Sequence, residues 1–311
     1  MSYRWAVIKR ATTAILVVLT LVATVTGCSE TDTTDDALVV GSSGTPAMEV
    51  MAQIYAGVLR HAGSRVSQNE PIGDDRALLD EMDAGTVDLF PSFGGRLVTE
   101  LAPGLNPQTP SEVYDDLNRS LPQGVSVGDP TTVSVTPQVF VSTAVAERSG
   151  VNDLADCARL PAGLPVVVVG SPDETVMETF RAAGCRFGAV ESVSSAADAV
   201  ARVATGDAAA VLTPLDVSGA QKTGDEADLR ALRVEAPEED GSAATVVVTG
   251  PRPQELVPVY RTAALNSTEV KAVNTVAGEM STAELATLVA EVNRGADPQE
   301  VAVNWLGEHG L

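Results

Sequence analysis

Between residues 38 and 93, short apolar runs alternate with helical segments, and few folds accept that order. Ala37-Leu38-Val39-Val40 reads as a buried strand that stops at the turn-and-cap sequence Gly41-Ser42-Ser43-Gly44-Thr45-Pro46. Val50, Met51, Ile54, Tyr55, Val58 and Leu59 then recur at helical spacing as far as Gly63. Arg65-Val66 opens a second strand, Arg76 to Ala84 a short helix with Leu78, Leu79 and Met82 inward, and Thr86 to Phe90 a third strand. That strand runs into a loop, Pro91-Ser92-Phe93-Gly94-Gly95. The order β-α-β-α-β predicts a parallel sheet with helices on its faces, because parallel neighbours need a crossover that antiparallel hairpins do not.

A second α/β unit starts near Thr131. Val133 to Val141 is strand-like, Pro165 to Val169 reads as a wholly buried strand, and Arg186 to Val190 as another. Helices at 175–183 and 196–205 separate these from the apolar run Ala209 to Leu212. An acidic turn, Pro237-Glu238-Glu239-Asp240-Gly241, leads to a strand at Ala244 to Val248, and after Pro251 the pattern predicts helices at 254–265, 267–277, 282–293 and 298–307. The expected class is therefore α/β with two lobes. Lobe I takes 38–131 plus 243–311 and lobe II takes 132–242, with a ligand cleft between them at the carboxyl ends of the strands.

The amino terminus reads as an address. Arg4, Lys9 and Arg10 precede a threonine-interrupted apolar stretch from Ala11 to Val25, the layout of a secretory signal peptide spanning 1–27. The polar run after Cys28 would serve as a tether over 28–37. Two further cysteines, Cys157 and Cys185, suggest one disulfide in an exported chain, closing a loop of roughly 30 residues; two buried thiols are the other reading. The formal net charge of −22 argues against nucleic acid as a partner, since neutralising phosphates takes Lys/Arg clusters. It also leaves membrane attachment to an anchor rather than to surface charge.

Catalysis finds no support in the motifs. Gly41-Ser42-Ser43-Gly44-Thr45 lacks the spacing of a nucleophile elbow, and the two histidines, His61 and His309, leave little for a triad. No dinucleotide fingerprint, phosphate-binding Lys loop or metal-ligand spacing is present, so no cofactor or metal is expected.

Several blocks are similar to a known family. Val25-Thr26-Gly27-Cys28 resembles a bacterial lipobox, which implies lipidation of Cys28. Val40-Gly41-Ser42-Ser43-Gly44-Thr45, followed by a helix containing Ile54-Tyr55, resembles the opening of osmoprotectant-binding proteins, the glycine betaine, carnitine and choline receptors of ABC importers. Gly85-Thr86-Val87-Asp88-Leu89-Phe90-Pro91-Ser92-Phe93-Gly94-Gly95 and Asp297-Pro298-Gln299-Glu300-Val301-Ala302 continue it in the same order. The resemblance implies a type II periplasmic-binding fold that closes by hinge motion on a small solute and delivers it to a membrane permease.

It also implies where the solute would sit. Ser42, Ser43 and Thr45 would contribute from the first loop, and Ser92, Phe93 and Gly94 from the third. Thr136, Pro137 and Gln138, then Thr213, Pro214 and Asp216, then Gly241 and Ser242 would contribute from lobe II. Helix capping competes with ligand contact for Ser42 and Thr45, and core packing competes for Phe93. The family cages a quaternary ammonium with tyrosines, yet the corresponding lobe II positions read Pro137, Thr213 and Gly241 or Ser242. With only 5 Phe, 4 Tyr and 2 Trp in the chain, one ring, Phe93, is left for a cage. Asp216, Glu238 and Asp240 could supply attraction instead, although the acidic turn reads more simply as solvated surface. The expected ligand is a small polar or zwitterionic solute; a scaffolding or sensory envelope lipoprotein is the alternative.

Overall fold

Two mixed five-stranded sheets carry the fold in the computed structural model, which describes residues 37–223, 228–234 and 249–311. The predicted strand at 244–248, Glu238, Asp240, Ser242 and Cys28 lie outside the described residues. The first sheet is built from β1 (Leu38–Val40), β2 (Val66–Gln68), β3 (Leu89–Phe93), β4 (Val125–Val127) and β10 (Leu256–Arg261), in the order β2-β1-β3-β10-β4. β1 runs parallel to β2 and β3, whereas β10 is antiparallel to both β3 and β4.

Helices cover both faces of this sheet. On one, α1 (Pro46–His61) buries Met48, Met51, Ile54, Tyr55 and Leu59 against α9 (Ser267–Glu279), α10 (Thr282–Asn293) and α11 (Pro298–His309). On the other, α2 (Asp75–Ala84), α3 (Gly94–Leu101) and α4 (Pro110–Ser120) enclose Leu78, Phe90, Leu97, Val113 and Leu117. The stops and starts are chemically explicit. The Asp74 carboxylate accepts from Ala77 N–H to start α2, and Gly85, at φ +79°, ends it in the left-handed region that glycine enters without a Cβ clash. Thr109 and Glu112 close a reciprocal capping box on α4.

Two expectations fail here for identifiable reasons. The strand expected at 86–90 begins at Leu89. Thr86 and Val87 N–H bond back to the Glu81 carbonyl and finish the helix, while the Asp88 side chain, rather than backbone, accepts from Val39 N–H at 2.8 Å. Pro91, Ser92 and Phe93 therefore lie inside a central strand instead of a loop. The helix expected at 254–265 is the strand β10: Val257 and Val259 alternate with Pro258, which an interior helical position tolerates poorly. Pro258 faces Pro91 across the ladder. The Pro258 carbonyl accepts from Gly128 N–H, so its polar backbone edge points away from β3 and the facing prolines forfeit no bond to each other. With β10 inserted, the expected all-parallel sheet becomes mixed.

The second sheet has the order β7-β6-β8-β5-β9, from β5 (Gln138–Ser142), β6 (Leu164–Val169), β7 (Phe187–Val193), β8 (Ala209–Leu212) and β9 (Leu229–Leu232). β6 is parallel to β7 and β8, and β5 is antiparallel to β8 and β9. α5 (Thr143–Ser149), α6 (Glu174–Ala182), α7 (Ala196–Ala204) and α8 (Pro214–Thr223) complete the unit. β6 is not wholly buried, since Val169 at its end is exposed. Cys157, in a 3₁₀ turn at Leu154–Arg159, is disulfide-bonded to Cys185 inside the local core.

Val133 to Val141 is not one strand. Its first part is a crossover that leaves the first sheet, and β5 starts only at Gln138. Residues 249–255 form the return crossover beside it: Val135 N–H donates to the Gln254 carbonyl at 3.0 Å and Ser134 pairs antiparallel with Glu255. Both crossovers are tied to elements of the first sheet. Thr132 Oγ1 and Ser134 N–H bond at Met280 and Thr282, ahead of and within the start of α10, while the Arg252 guanidinium reaches Thr99 and the carbonyls of Gly95 and Leu105.

Candidate functional site

The loop after β1 lies over the amino terminus of α1, where the first-turn N–H groups have no intrahelical acceptor. Thr45 occupies the N-cap position but its side chain makes no cap hydrogen bond, and it is exposed. Ser43 is 6 % exposed, and its Oγ has no partner among the described residues. A buried hydroxyl left in that state costs desolvation energy unless something arrives to pair with it. Ser43 and Thr45 share a recess of about 270 Å³ with Asp74, Asp75, Arg96 and Glu100.

Arg96 is the residue that sequence reasoning missed. In the first turn of α3, its Nε donates to Asp75 Oδ2 at 2.7 Å and its Nη2 to Oδ1 at 3.2 Å, a bidentate pair. The Asp75 side chain is 3 % exposed and that of Arg96 48 %, so the carboxylate lies beneath and the guanidinium faces solvent. Arg96 Cζ also stands 5.8 Å from the centroid of the Phe93 ring, within cation–π range. Phe93 itself is buried against Val133 and Leu256.

The other expected residues scatter. Ser42 is buried and lines a neighbouring recess with Glu49, Gln53, Asn69, Glu70 and Asp297. Ser92 is fully buried opposite Val257, and its Oγ has no partner among the described residues. Gly94 starts α3, donates to the Glu255 carbonyl at 2.9 Å and borders an apolar groove of about 340 Å³ with Tyr114, Pro130 and Glu255. Burial raises the Glu255 carboxyl above the ordinary carboxylate range. Gln138 heads β5 with its Oε1 buried and, among the described residues, unpartnered. Thr213 and Asp216 are spent on each other: Asp216 Oδ2 accepts from Thr213 N–H at 3.0 Å and Oγ1 at 2.8 Å, and Asp216 N–H donates back at 3.1 Å, which starts α8. None of these three recesses takes a residue from the second sheet. Among the described residues no group of acidic, His or Cys side chains could hold a metal ion.

Two mixed α/β sheets joined by paired crossovers, with helix-start recesses at the strand ends, give the chain a type II periplasmic-binding-protein fold. The solved structures agree on the fold. A glycine betaine/carnitine/choline ABC transporter structure superposes with a TM-score of 0.70 at 16 % identity, covering 88 % of this chain and 98 % of that one. YehZ of Escherichia coli, without ligand, gives 0.67 at 18 %, covering 88 % and 99 %. Lactococcal OpuAC, closed on glycine betaine, gives 0.50 at 13 %, covering 88 % and 96 %. No curated protein sequence matches the chain significantly. The family model for the substrate-binding domain of ABC-type glycine betaine transport systems matches residues 36–308, and the chain belongs to that family. It is thus a binding component of an ABC importer that acts outside the cytoplasm, not an enzyme.

Proposed function

We propose that the chain is a lipoprotein that captures a small polar or zwitterionic solute between two lobes and presents it to its permease. Lobe I would comprise 38–131 and 243–311, and lobe II 132–242. The observation that carries this reading is the pair of crossovers at 131–137 and 249–255. Each is fastened at the first sheet, so opening and closing would concentrate in the few residues beyond those ties. Ser42, Ser43, Thr45, Ser92, Phe93 and Gly94 would face Gln138, Thr213, Asp216 and Ser242 across the cleft. Lipidation at Cys28, after loss of 1–27, would hold the domain near the permease on the 28–37 tether.

The test is a thermal-shift screen of the purified chain against polar and zwitterionic solutes. A solute at a hundredfold its Kd should stabilise the native state by about 2.7 kcal/mol. Cys28→Ser should move the chain from the membrane to the soluble extracytoplasmic fraction. A scaffolding or sensory role is the second reading. It is favoured by the engagement of the Phe93 ring by Arg96, which occupies the ring expected to serve a cage. Failure of every solute to stabilise the chain would select it.

A further inference from the structure

We infer that Arg96 sets the specificity of the first-sheet recess, and that the solute it selects is neutral and hydroxyl-rich, a polyol or small sugar. The inference rests on the receptor reading above and names the ligand class for it.

An ammonium ligand has no place in this recess. Among the described residues no aromatic ring lines it, and Phe93, the N-cap of α3, already has the chain's own guanidinium 5.8 Å from its centroid. A second cation brought there would meet like charge from Arg96 and Arg76, while, of the three carboxylates in the lining, Asp75 is already paired with Arg96 and Asp74 caps α2. An anionic ligand fares no better. Asp74 and Glu100 share the lining, and the Arg96 charge is already matched by Asp75 beneath it. What remains is a surface of two guanidiniums and three carboxylates that is rich in both donors and acceptors. The Arg96 fork is fixed by two hydrogen bonds to a buried carboxylate, so its outward N–H groups lie in a set plane. A planar fork of this kind fits two adjacent ligand oxygens. Ser43 Oγ, buried and unpartnered, and the free Thr45 hydroxyl can each donate and accept, as can the hydroxyls of a polyol. Neutral hydroxyls satisfy every one of these groups without importing a charge into the site.

Titration calorimetry of the purified full-length chain with sorbitol, myo-inositol, choline, glycine betaine and succinate tests this. At least one polyol should bind, with the three charged probes at least tenfold weaker. Arg96→Gln should weaken the polyol tenfold or more. Arg96→Lys should do the same, because an ammonium keeps the charge but lacks the fork. Ser43→Ala should lose affinity severalfold with an unchanged unfolding midpoint, which separates ligand contact from a structural role. Choline, betaine or succinate binding as tightly as the polyols would overturn the inference and leave the receptor reading intact. So would polyol affinity unchanged across the three variants. If none of the five probes binds, the inference is overturned, and the broader solute screen above then decides the receptor reading separately.

Discussion

Reduction of the Cys157–Cys185 bond lowers the thermal midpoint by about 6 to 12 °C. The two cysteines are 28 residues apart and both are buried. The loop they close contains β6 and α6, so the bond restrains the unfolded chain across a strand and a helix of the second sheet. In the loop-entropy relation a closure of this length stabilises by about 3 to 4 kcal/mol. Cys157→Ala with Cys185→Ala should fall to the same midpoint as the reduced wild type. Scanning calorimetry with and without reductant reads the effect directly. A midpoint that stays put while mass mapping shows both thiols free would mean that the bond contributes nothing.

Gly95→Ala is the second large effect. A Cβ on Gly95 would overlap the carbonyl oxygen of Pro253 and crowd the Gln254 side chain. That carbonyl belongs to the return crossover, and its neighbours hold it in place: Arg252 is bonded to Thr99 and Leu105, and Gln254 N–H to Thr136 Oγ1 at 2.8 Å. Overpacking against a fixed backbone costs about 1 to 3 kcal/mol, and this contact has no flexible side chain to yield. Gly94→Ala is the matched control. Its Cβ would meet the Val113 methyl at 3.3 Å, which a small shift relieves. Denaturant unfolding should show Gly95→Ala losing about 2 kcal/mol or more and Gly94→Ala less than about 1 kcal/mol. Small-angle scattering should in addition show a changed overall shape for Gly95→Ala alone. Equal losses for the two variants would remove the argument from close approach.

How much of this is legible in the sequence depends on the range of the determining contacts. The run 38–84 reads correctly because its signals are local: apolar strand residues, Pro46 at the first helical turn, and the 3.6 period of α1. β4 escapes because three residues carry no period, and its strand partner among the described residues is β10, more than a hundred residues away. α3 and α4 were missed although Thr109 and Glu112 show the spacing of a capping box. β10 was misread because an apolar run of this length fits either state; Pro258 was the residue to weigh. At the site, Ser43 and Thr45 stand out from a Gly-Ser-Ser-Gly-Thr turn. Arg96 does not, since its meaning comes from Asp75, 21 residues upstream, and from a ring one helical turn back. The scarcity of rings was visible from composition, but the engagement of the remaining one was not.

The place of β10 in the first sheet has a consequence for how the chain is made. β10 lies between β3 and β4, so among the described strands β4 has no neighbour until residues 256–261 exist. The second sheet's described strands, by contrast, fall within one stretch ending at residue 232. A polypeptide that emerges amino terminus first can therefore assemble the later-encoded sheet before the earlier one, and the first sheet waits for its keystone. Until then Phe90, Val113 and Leu117 lack the Val257 and Val259 side of their shared core. Completion of the first sheet and its shared core therefore waits on residues 256–261, near the end of the chain's emergence.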